Sequence, residues 1–135
     1  MRVRTEWAEV KADDCVIRSY SHLDCPKSDW DGYVDSHLRG SVYHRVSWGD
    51  IISSSFNHKP IYITAYGPDG RLVGVLPIFD CHSIFGHALV SIPFCNFGGA
   101  IGNSEDIESK LMREAIRNAQ EIGANRVEFR DDFRR

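Results

Sequence analysis

The first half of the chain repeats its apolar residues with a helical period. Four apolar residues share one face of a predicted helix: Trp30, Tyr33, Val34 and Leu38. Ser28 and Asp31, three residues apart, predict that this helix starts with a capping box, in which the two side chains bond the amides of the first turn. Segment 47–56 repeats the pattern, with Ser47 as the cap and Asp50 at the third helical position. Its predicted inward-facing residues are Trp48, Ile51, Ile52 and Phe56. The pattern predicts two short helices in succession.

From residue 60 the period changes to two, which is the period of β-strands. Segments 60–66 and 71–79 alternate in this way and flank the turn-forming sequence GPDG at 67–70. The pair therefore predicts a β-hairpin. Segment 87–94 is apolar and bounded by turn signals, which predicts a further buried strand.

A long amphipathic helix is predicted after the glycine-rich turn that follows this strand. Its apolar stripe consists of Ile107, Leu111, Met112, Ala115, Ile116, Ala119 and Ile122. Asn103 or Ser104 is the expected N-cap. Gly123 is expected to end the helix in the left-handed conformation that glycine adopts without strain.

A strand is predicted at each end of the sequence. Segment 125–131 is apolar on alternate positions and predicts the last strand. Near the start, segments 2–10 and 15–21 compete for the first strand. The resulting order is β-α-α-β-β-β-α-β. This order predicts an α/β fold with a mixed, mainly antiparallel sheet flanked by helices.

The turn before the long helix has the glycines of a phosphate-binding turn but the wrong charges. Gly98, Gly99 and Gly102 would let the backbone approach a ligand at the helix N-terminus. However, Glu105 and Asp106 lie in the first helical turn, where they would repel a pyrophosphate. No basic residue lies between Pro93 and Lys110. The sequence therefore favours a structural strand-to-helix turn over a cradle for a cofactor phosphate.

Length and charge narrow the class of protein. A chain of 135 residues with 42% hydrophobic content is expected to form one domain with a substantial core. A formal net charge of -3 gives no overall field that would attract DNA or an anionic membrane. No apolar run reaches the length of a membrane span, and the first residues lack the apolar core of a signal peptide. We expect a soluble, cytoplasmic protein.

Residues that could perform chemistry are sparse. The four cysteines Cys15, Cys25, Cys81 and Cys95 have no C-x-x-C spacing and predict reduced thiols. Cys81, His82 and His87 lack the paired spacing of zinc sites, so no metal site is predicted. No Ser/His/Asp order, paired carboxylates or Walker-type loop can be recognised. The pattern names no catalytic residue.

The order of elements resembles the core of the GNAT acyltransferases. In that family, the turn before the long helix binds the pyrophosphate of acetyl-CoA. Its pattern is Arg or Gln, two residues, Gly, one residue, and Gly or Ala. The corresponding stretch here, "FGGAIGNSED", has neither the basic or amide residue nor the Gly-x-Gly spacing. Acetyl-CoA is therefore not the expected cofactor.

A second resemblance concerns four short segments in order. "YHRVSW", "FNHKP", "GRLVGVLPIF" and "LVSIPFCNFGG" resemble the N-terminal half of FemAB-related proteins associated with exosortase (PEP-CTERM) and exopolysaccharide systems. The resemblance covers roughly residues 28–130. FemAB-like proteins consist of two GNAT-like halves and generally transfer an aminoacyl group from aminoacyl-tRNA to a peptidoglycan precursor.

The resemblance implies that residues 1–135 form a single GNAT-like domain, the N-terminal half of a longer two-half protein. The implied function is acyl or aminoacyl transfer in cell-envelope or exopolysaccharide biosynthesis. The implied partners are the second half, an aminoacyl-tRNA donor and an envelope-precursor acceptor. Two alternatives stay open: a catalytically silent GNAT-like module that binds substrate or acts as a scaffold, and an acyl-CoA N-acetyltransferase.

The superfamily geometry also implies a cleft where the ends of the fourth and fifth strands approach the start of the second helix. The candidate substrate-binding residues are His44, Trp48, Phe94, Cys95, Asn96, Gly98 and Gly99. Plainer roles compete with this one. Trp48 can belong to the core, and His44 can be a partly exposed residue at the helix entry. Cys95 can be a buried, inert thiol rather than a nucleophile.

Overall fold

The structure is a computed structural model that describes residues 11–83, 86–91 and 99–129. Its six strands are β1 Val16–Ser21, β2 Lys59–Tyr66, β3 Leu72–Ser83, β4 Gly86–Val90, β5 Ile101–Gly102 and β6 Arg126–Glu128. Its α-helices are α1 Lys27–Ser36, α2 Val46–Phe56 and α3 Glu105–Ile122, and two single 3₁₀ turns are Ala12–Asp14 and Val42–His44. The helices within the described ranges are too short or too polar to cross a membrane.

The strands form one sheet in the order β1-β2-β3-β4-β6, and β5 pairs with β3. The pairs are antiparallel except for β4 and β6, which run parallel. The predicted α/β fold with a mixed, mainly antiparallel sheet is therefore confirmed. The strand predicted at 15–21 is β1, whereas the competing segment 2–10 lies outside the described residues.

The β2–β3 hairpin lies at the centre of the sheet, as its alternating pattern predicts. Gly70 has a φ of 85°, which a side chain at this position of the turn would oppose. The Gly67 N–H donates to the Arg71 carbonyl at 2.8 Å and closes the hairpin. Strand β3 continues to Ser83, four residues beyond the predicted segment 71–79. This extension moves polar residues onto the sheet.

Helices cover both faces of the sheet. Helix α3 packs its buried side chains on one face, against alternate residues of the central strands; the main members of this core are Ile63, Leu76, Ile78, Leu89, Ile107 and Leu111. Helices α1 and α2 cover the other face, where the Trp30 and Tyr62 rings meet edge to face with centroids 5.0 Å apart. Ile52 of α2 packs on Phe79. The sheet is therefore apolar on both sides.

The partner of β3 is interrupted in the middle of the sheet. Strand β4 pairs with the segment from Phe79 onward, and β5 pairs with Gly74 and Val75. Residues 76–78 of β3 lie between these two paired segments. Pro77 is one of the three, and a proline suits this position because it has no N–H to give to a continuous ladder. The described chain resumes at Gly99 and joins β3 again through β5 before α3.

The predicted N-caps of the first two helices are wrong. Helix α1 starts at Lys27, so Ser28 lies inside the first turn and makes no cap. Asp31 instead reaches across to α2, where its carboxylate accepts the Val46 N–H at 3.0 Å. Ser47 is therefore not needed as a cap, and α2 begins one residue before it. Arg45 strengthens this junction with an ion pair to Asp35 at 2.6 Å.

Several residues predicted to face inward are exposed. Leu38 is 98% exposed because α1 ends at Ser36 and Leu38 lies in the turn that follows, which the Gly40 N–H closes by donating to the His37 carbonyl at 3.1 Å. Ile51 and Phe56 are each half exposed, since α2 approaches the sheet along Val46, Gly49 and Ile52 instead. Two residues of the predicted α3 stripe, Ile116 and Ile122, are also exposed, while its other apolar members pack inward.

A glycine pair in and after α1 tests this packing. A Cβ on Gly40 would lie 1.9 Å from the Val34 carbonyl oxygen, whereas a Cβ on Gly32 would meet nothing within 4 Å. We expect Gly40→Ala to lower the free energy of unfolding by more than about 1 kcal/mol. Gly32→Ala should raise it by about 0.5–1 kcal/mol, because Gly32 lies within a helix. Urea unfolding followed by circular dichroism measures both, and equal effects of the two substitutions would contradict the packing described.

Candidate functional site

The glycine turn before α3 is held by side chains from the other face of the sheet. His44 is buried, and its Nε2 lies 2.9 Å from the Gly99 carbonyl oxygen. A carbonyl can only accept, so Nε2 carries the proton and donates. His44 Nδ1 then accepts from the Ser41 hydroxyl at 2.9 Å. The Trp30 indole N–H donates to the His44 carbonyl at 2.7 Å, which fixes the histidine backbone as well.

Two further side chains fix the end of the same turn. Tyr33 donates toward the Val73 carbonyl at 3.0 Å and the Asn103 amide oxygen at 2.8 Å. His37 Nδ1 accepts the Arg39 N–H at 3.0 Å, so the proton of the neutral ring lies on Nε2. That Nε2 contacts the Gly102 carbonyl at 2.9 Å. Segment 33–44 therefore clamps the turn at both ends.

A buried carboxylate occupies the amino end of α3. Glu108 is fully buried, and its Oε2 accepts the Gly102 N–H at 2.9 Å. The Arg39 guanidinium donates to the same oxygen and forms an ion pair with it. A buried carboxylate requires such partners because an unpaired charge is costly away from water. The positive end of the helix dipole adds to this stabilisation.

The other amides at this helix start also have partners inside the protein. The Ser104 hydroxyl accepts the Ile107 N–H at 3.2 Å, so the N-cap predicted at 103 or 104 is Ser104. The Asn103 N–H donates to the Val73 carbonyl at 2.8 Å, and the Glu108 N–H donates to the Ser104 carbonyl at 3.1 Å. Helix α3 ends at Gly123, as predicted, with a φ of 76°. The amino end of α3 is bonded to its own chain at four amides.

Burial and the charges of this cluster change the pKa of the Tyr33 phenol. Burial raises the pKa of the Tyr33 phenol above its ordinary value, and the nearby Glu108 carboxylate raises the pKa further. Arg39 acts in the opposite direction and has the smallest effect of the three. The phenol therefore stays protonated and remains a hydrogen-bond donor to the turn.

The candidate residues named from the sequence fall into two groups. Phe94, Cys95, Asn96 and Gly98 lie outside the described residues. Among the others, His44 contacts Gly99, and Trp48 is half-buried with its ring edge to face on Tyr43 at 5.0 Å. The Trp48 indole nitrogen is buried without a hydrogen-bond partner among the described residues. A substrate-binding role for these residues stays a prediction.

Sequence reasoning missed Tyr33, His37, Arg39 and Glu108. Glu108 carried a recognisable signal, because it lies four residues before Met112 and seven before Ala115, on the side of α3 that is apolar. His37 and Arg39 carried a weaker one. They flank Leu38 in the turn after α1, where the two polar side chains bond Gly102 and Glu108 and the leucine is exposed.

The buried cysteines Cys15 and Cys25 are not activated. Cys15 and Cys25 are buried, and Cys81 is partly buried. Burial raises the pKa of the Cys25 thiol to about 12, and the Asp31 carboxylate raises it further. Burial likewise raises the pKa of Cys15. Thiols with raised pKa values are poor nucleophiles at neutral pH.

The described structure has one opening beside this region and another at the far end of the sheet. A cleft of about 320 Å³ lies beside the amino end of α3, lined by Tyr33, Ser36, Asp69, Arg71 and Asn103 together with two apolar neighbours. Arg71 in this cleft is paired with Asp69 at 3.4 Å. A second cavity of about 490 Å³ lies at the far end of the sheet, where Lys59 and Asp80 line it.

Comparison with known proteins identifies the fold. No protein-family model and no curated protein sequence matches the chain. A ribosomal-protein-alanine N-acetyltransferase from Brucella melitensis biovar Abortus 2308 matches with a TM-score of 0.53 and 14% sequence identity, over 84% of this chain and 77% of that chain. An aminoglycoside acetyltransferase from an uncultured soil metagenomic sample, in complex with trehalose, matches with a TM-score of 0.54 and 13% identity, over 89% and 80%. The chain therefore has the fold of the GNAT acetyltransferases.

The first prediction from this site concerns the ion pair. Arg39→Ala leaves the buried Glu108 carboxylate without its charged partner, which should lower the free energy of unfolding by about 3–5 kcal/mol. The matched control is Arg113→Ala on the same helix as Glu108, for which we expect a change within about 0.5 kcal/mol. Urea unfolding measures both. Equal values for the two variants would contradict the burial of this pair.

The second prediction concerns alkaline pH. An unfolded tyrosine ionises near pH 10, whereas native Tyr33 has a raised pKa and keeps its proton. The unfolded state then binds fewer protons than the native state, so the free energy of unfolding should fall as the pH rises above about 10. Tyr33→Phe should make this decline shallower without removing it, because burial raises the pKa of Tyr62 and Tyr66 as well. Urea unfolding in a pH series tests this, and an unchanged slope would refute it.

Proposed function

We propose that this chain is the N-terminal GNAT-like unit of a FemAB-related acyl or aminoacyl transferase that works without acetyl-CoA. In this proposal its donor is an aminoacyl-tRNA and its acceptor an envelope or exopolysaccharide precursor. The second GNAT-like unit completes the active site. The FemAB-like segments of the sequence and the geometry at the amino end of α3 support the proposal.

The observation that supports this proposal most directly is the Glu108 carboxylate at the amino end of α3. In the GNAT family this end of the long helix receives the pyrophosphate of acetyl-CoA. Here the chain's own anion accepts the Gly102 N–H and the Arg39 guanidinium. A pyrophosphate would compete with a buried carboxylate for these donors and would be repelled by it. This arrangement supports a donor other than acetyl-CoA.

The proposed reaction does not need the side chains that the sequence lacks. An aminoacyl ester is already activated, so a transferase can obtain much of its rate by holding ester and amine in line. Backbone N–H groups can stabilise the oxyanion that forms. The role of this unit is then to bind and orient substrate. The candidate surface lies beside half-buried Trp48, next to the turn that buried His44 holds through the Gly99 carbonyl.

A second candidate is an acyl-CoA N-acetyltransferase. The observation that favours it is the fold, since the two structures described above are named as acetyltransferases. This candidate requires acetyl-CoA to bind in a manner that bypasses Glu108. A third candidate, a catalytically silent binding or scaffold module, has the same inert amino end of α3 and differs from the main proposal in lacking a catalytic second unit.

Calorimetric titration with acetyl-CoA tests whether the Glu108 carboxylate prevents the cofactor from binding at the amino end of α3. We expect no saturable binding by the natural chain at concentrations up to about 1 mM, which corresponds to a binding free energy weaker than about 4 kcal/mol. Glu108→Gln removes the negative charge while keeping an oxygen that can accept the Gly102 N–H. This variant should bind acetyl-CoA at least about tenfold more tightly, because charge-assisted bonds to Arg39 then become available.

Glu105→Ala is the matched control, since it removes an exposed carboxylate from the same helical turn. It should change acetyl-CoA affinity by less than about fivefold, as expected for one exposed charge at a helix end. Thermal melting of each variant establishes that it is folded before titration. Low-micromolar binding of acetyl-CoA by the natural chain would reject the main proposal and favour the acyl-CoA enzyme.

The coding sequence after the codon for Arg135 separates the main proposal from the silent module. The main proposal predicts a second GNAT-like unit encoded there. An aminoacyl-transfer assay with the complete protein, charged tRNA and lipid-linked precursor should then release deacylated tRNA. A complete protein that binds precursor and releases no tRNA would identify a scaffold instead.

A further inference from the structure

We propose that Asp80, His82 and His87 form a binding site for a divalent transition-metal ion, with Zn²⁺ as the first candidate. The three residues lie on the β3–β4 hairpin, at the opposite end of the sheet from the amino end of α3. Each offers one ligand atom, and the three atoms lie within 4.8 Å of one another. In the described part of the chain this is the one such group of histidine, cysteine and carboxylate side chains.

The strand register brings the three residues together. His82 and His87 are directly opposite each other across β3 and β4. Asp80 lies two residues before His82, so its side chain is on the same face of the sheet. The pairing of Ser83 with Gly86 fixes this register at the end of the hairpin. The three ligands therefore lie on one rigid, two-stranded segment rather than on separate loops.

The distances suit a small ion. Two ligands bound about 2.0–2.1 Å from a tetrahedral zinc ion are roughly 3.3 Å apart. His82 Nε2 and Asp80 Oδ1 are 3.3 Å apart. His87 Nε2 contacts the same Asp80 oxygen through a hydrogen bond. A metal ion would replace the proton shared in this contact, while the second Asp80 oxygen provides a further lone pair.

The ligand chemistry also points to a transition metal. Two imidazoles and one carboxylate form a donor set typical of zinc and of other divalent first-row metals, rather than of Ca²⁺ or Mg²⁺. The His82 and His87 rings are stacked with centroids 3.8 Å apart. His82 is 68% exposed, so its ring has room to turn toward an ion. Three protein ligands leave a fourth position for water or an exogenous ligand.

Cys81 is next to His82 in the sequence, but side chains alternate between the two faces of the sheet along β3, so the thiol is not among the ligands. Cys81 lies between Asp80 and His82, so its side chain is on the other face of the sheet. There it packs with the cluster around Ile52 and Phe79. The spacing of Cys81, His82 and His87 therefore gave no zinc pattern, because the third ligand is Asp80. The metal site proposed here departs from the sequence expectation for this reason.

The surroundings give the site access to solvent. Asp80 is 19% exposed and also lines the cavity of about 490 Å³ at this end of the sheet.

The chain that follows α3 runs alongside the site, where the Asn125 N–H donates to the His87 carbonyl at 2.6 Å. This bond fixes the backbone of one ligand. A ligand with a fixed backbone loses less conformational freedom when it binds a metal.

Zinc titration of the metal-stripped chain tests the proposal. Isothermal calorimetry and competition with a chromogenic chelator should give one Zn²⁺ per chain. His82→Gln should weaken binding by about tenfold or more, since the loss of outer-shell partners alone typically costs that much. Asp80→Asn should weaken it similarly. The matched controls are His58→Gln, which removes an imidazole elsewhere on the surface, and Cys81→Ser, and both should leave the affinity unchanged.

Cobalt(II) provides an independent signal. Bound Co²⁺ should show the intense visible d–d absorption of a four-coordinate site with nitrogen and oxygen ligands, without thiolate charge-transfer bands. Circular dichroism of each variant confirms that it is folded. The proposal is rejected if the natural chain binds no Zn²⁺ saturably, if His82→Gln binds as tightly as the natural chain, or if Cys81→Ser abolishes binding.

Discussion

The burial of the Glu108 carboxylate at the amino end of α3 is the interaction on which the arrangement of this fold depends. A charge in this position requires compensation, and Arg39 and the Gly102 N–H provide it. Arg39 belongs to the chain after α1, on one face of the sheet, whereas α3 covers the other face. The pair therefore ties the two helical layers together around the end of the sheet. His37 and Tyr33 reinforce this connection by bonding the same turn.

The same geometry relates fold to function. A helix amino end with a glycine-rich turn is well suited to bind an anion, because its N–H groups and dipole point to one place. In this chain a side chain of the helix itself supplies the anion. The chain thus has the fold of the GNAT acetyltransferases, with an internal carboxylate at the amino end of its long helix. A shared fold does not fix a shared activity, since function depends on the groups present at the site.

Local patterns allowed a large part of the fold to be predicted from the sequence. The β2–β3 hairpin and α3 were recognisable because turn residues, alternation and the apolar stripe act over a few neighbouring positions. Long-range contacts were not recognisable in this way. Asp31 caps a helix fifteen residues away, and Glu108 is paired with a residue on the opposite side of the sheet. No spacing rule relates such positions.

The end of β3 illustrates the same limit at the proposed metal site. The sequence predicts a strand that ends at Phe79, and this boundary separates Asp80 and His82 from the sheet. The strand actually continues to Ser83, and the register with β4 then places His87 opposite His82. Prediction of the ligand group required the strand boundary and the register together. Neither is fixed by periodicity, since strand ends are set by pairing with the neighbouring chain.

Hydrogen exchange at the Gly102 amide, measured by NMR, tests the central claim most directly. If Glu108 accepts this N–H inside the protein, the amide should exchange as slowly as amides in the centre of β3. Glu108→Ala should then accelerate exchange at Gly102 far more than exchange at Ile63 in the core of β2. Exchange at Gly102 of the natural chain as rapid as at exposed Asp69 in the hairpin turn would show that the amide is open to solvent, and would contradict the burial of this bond.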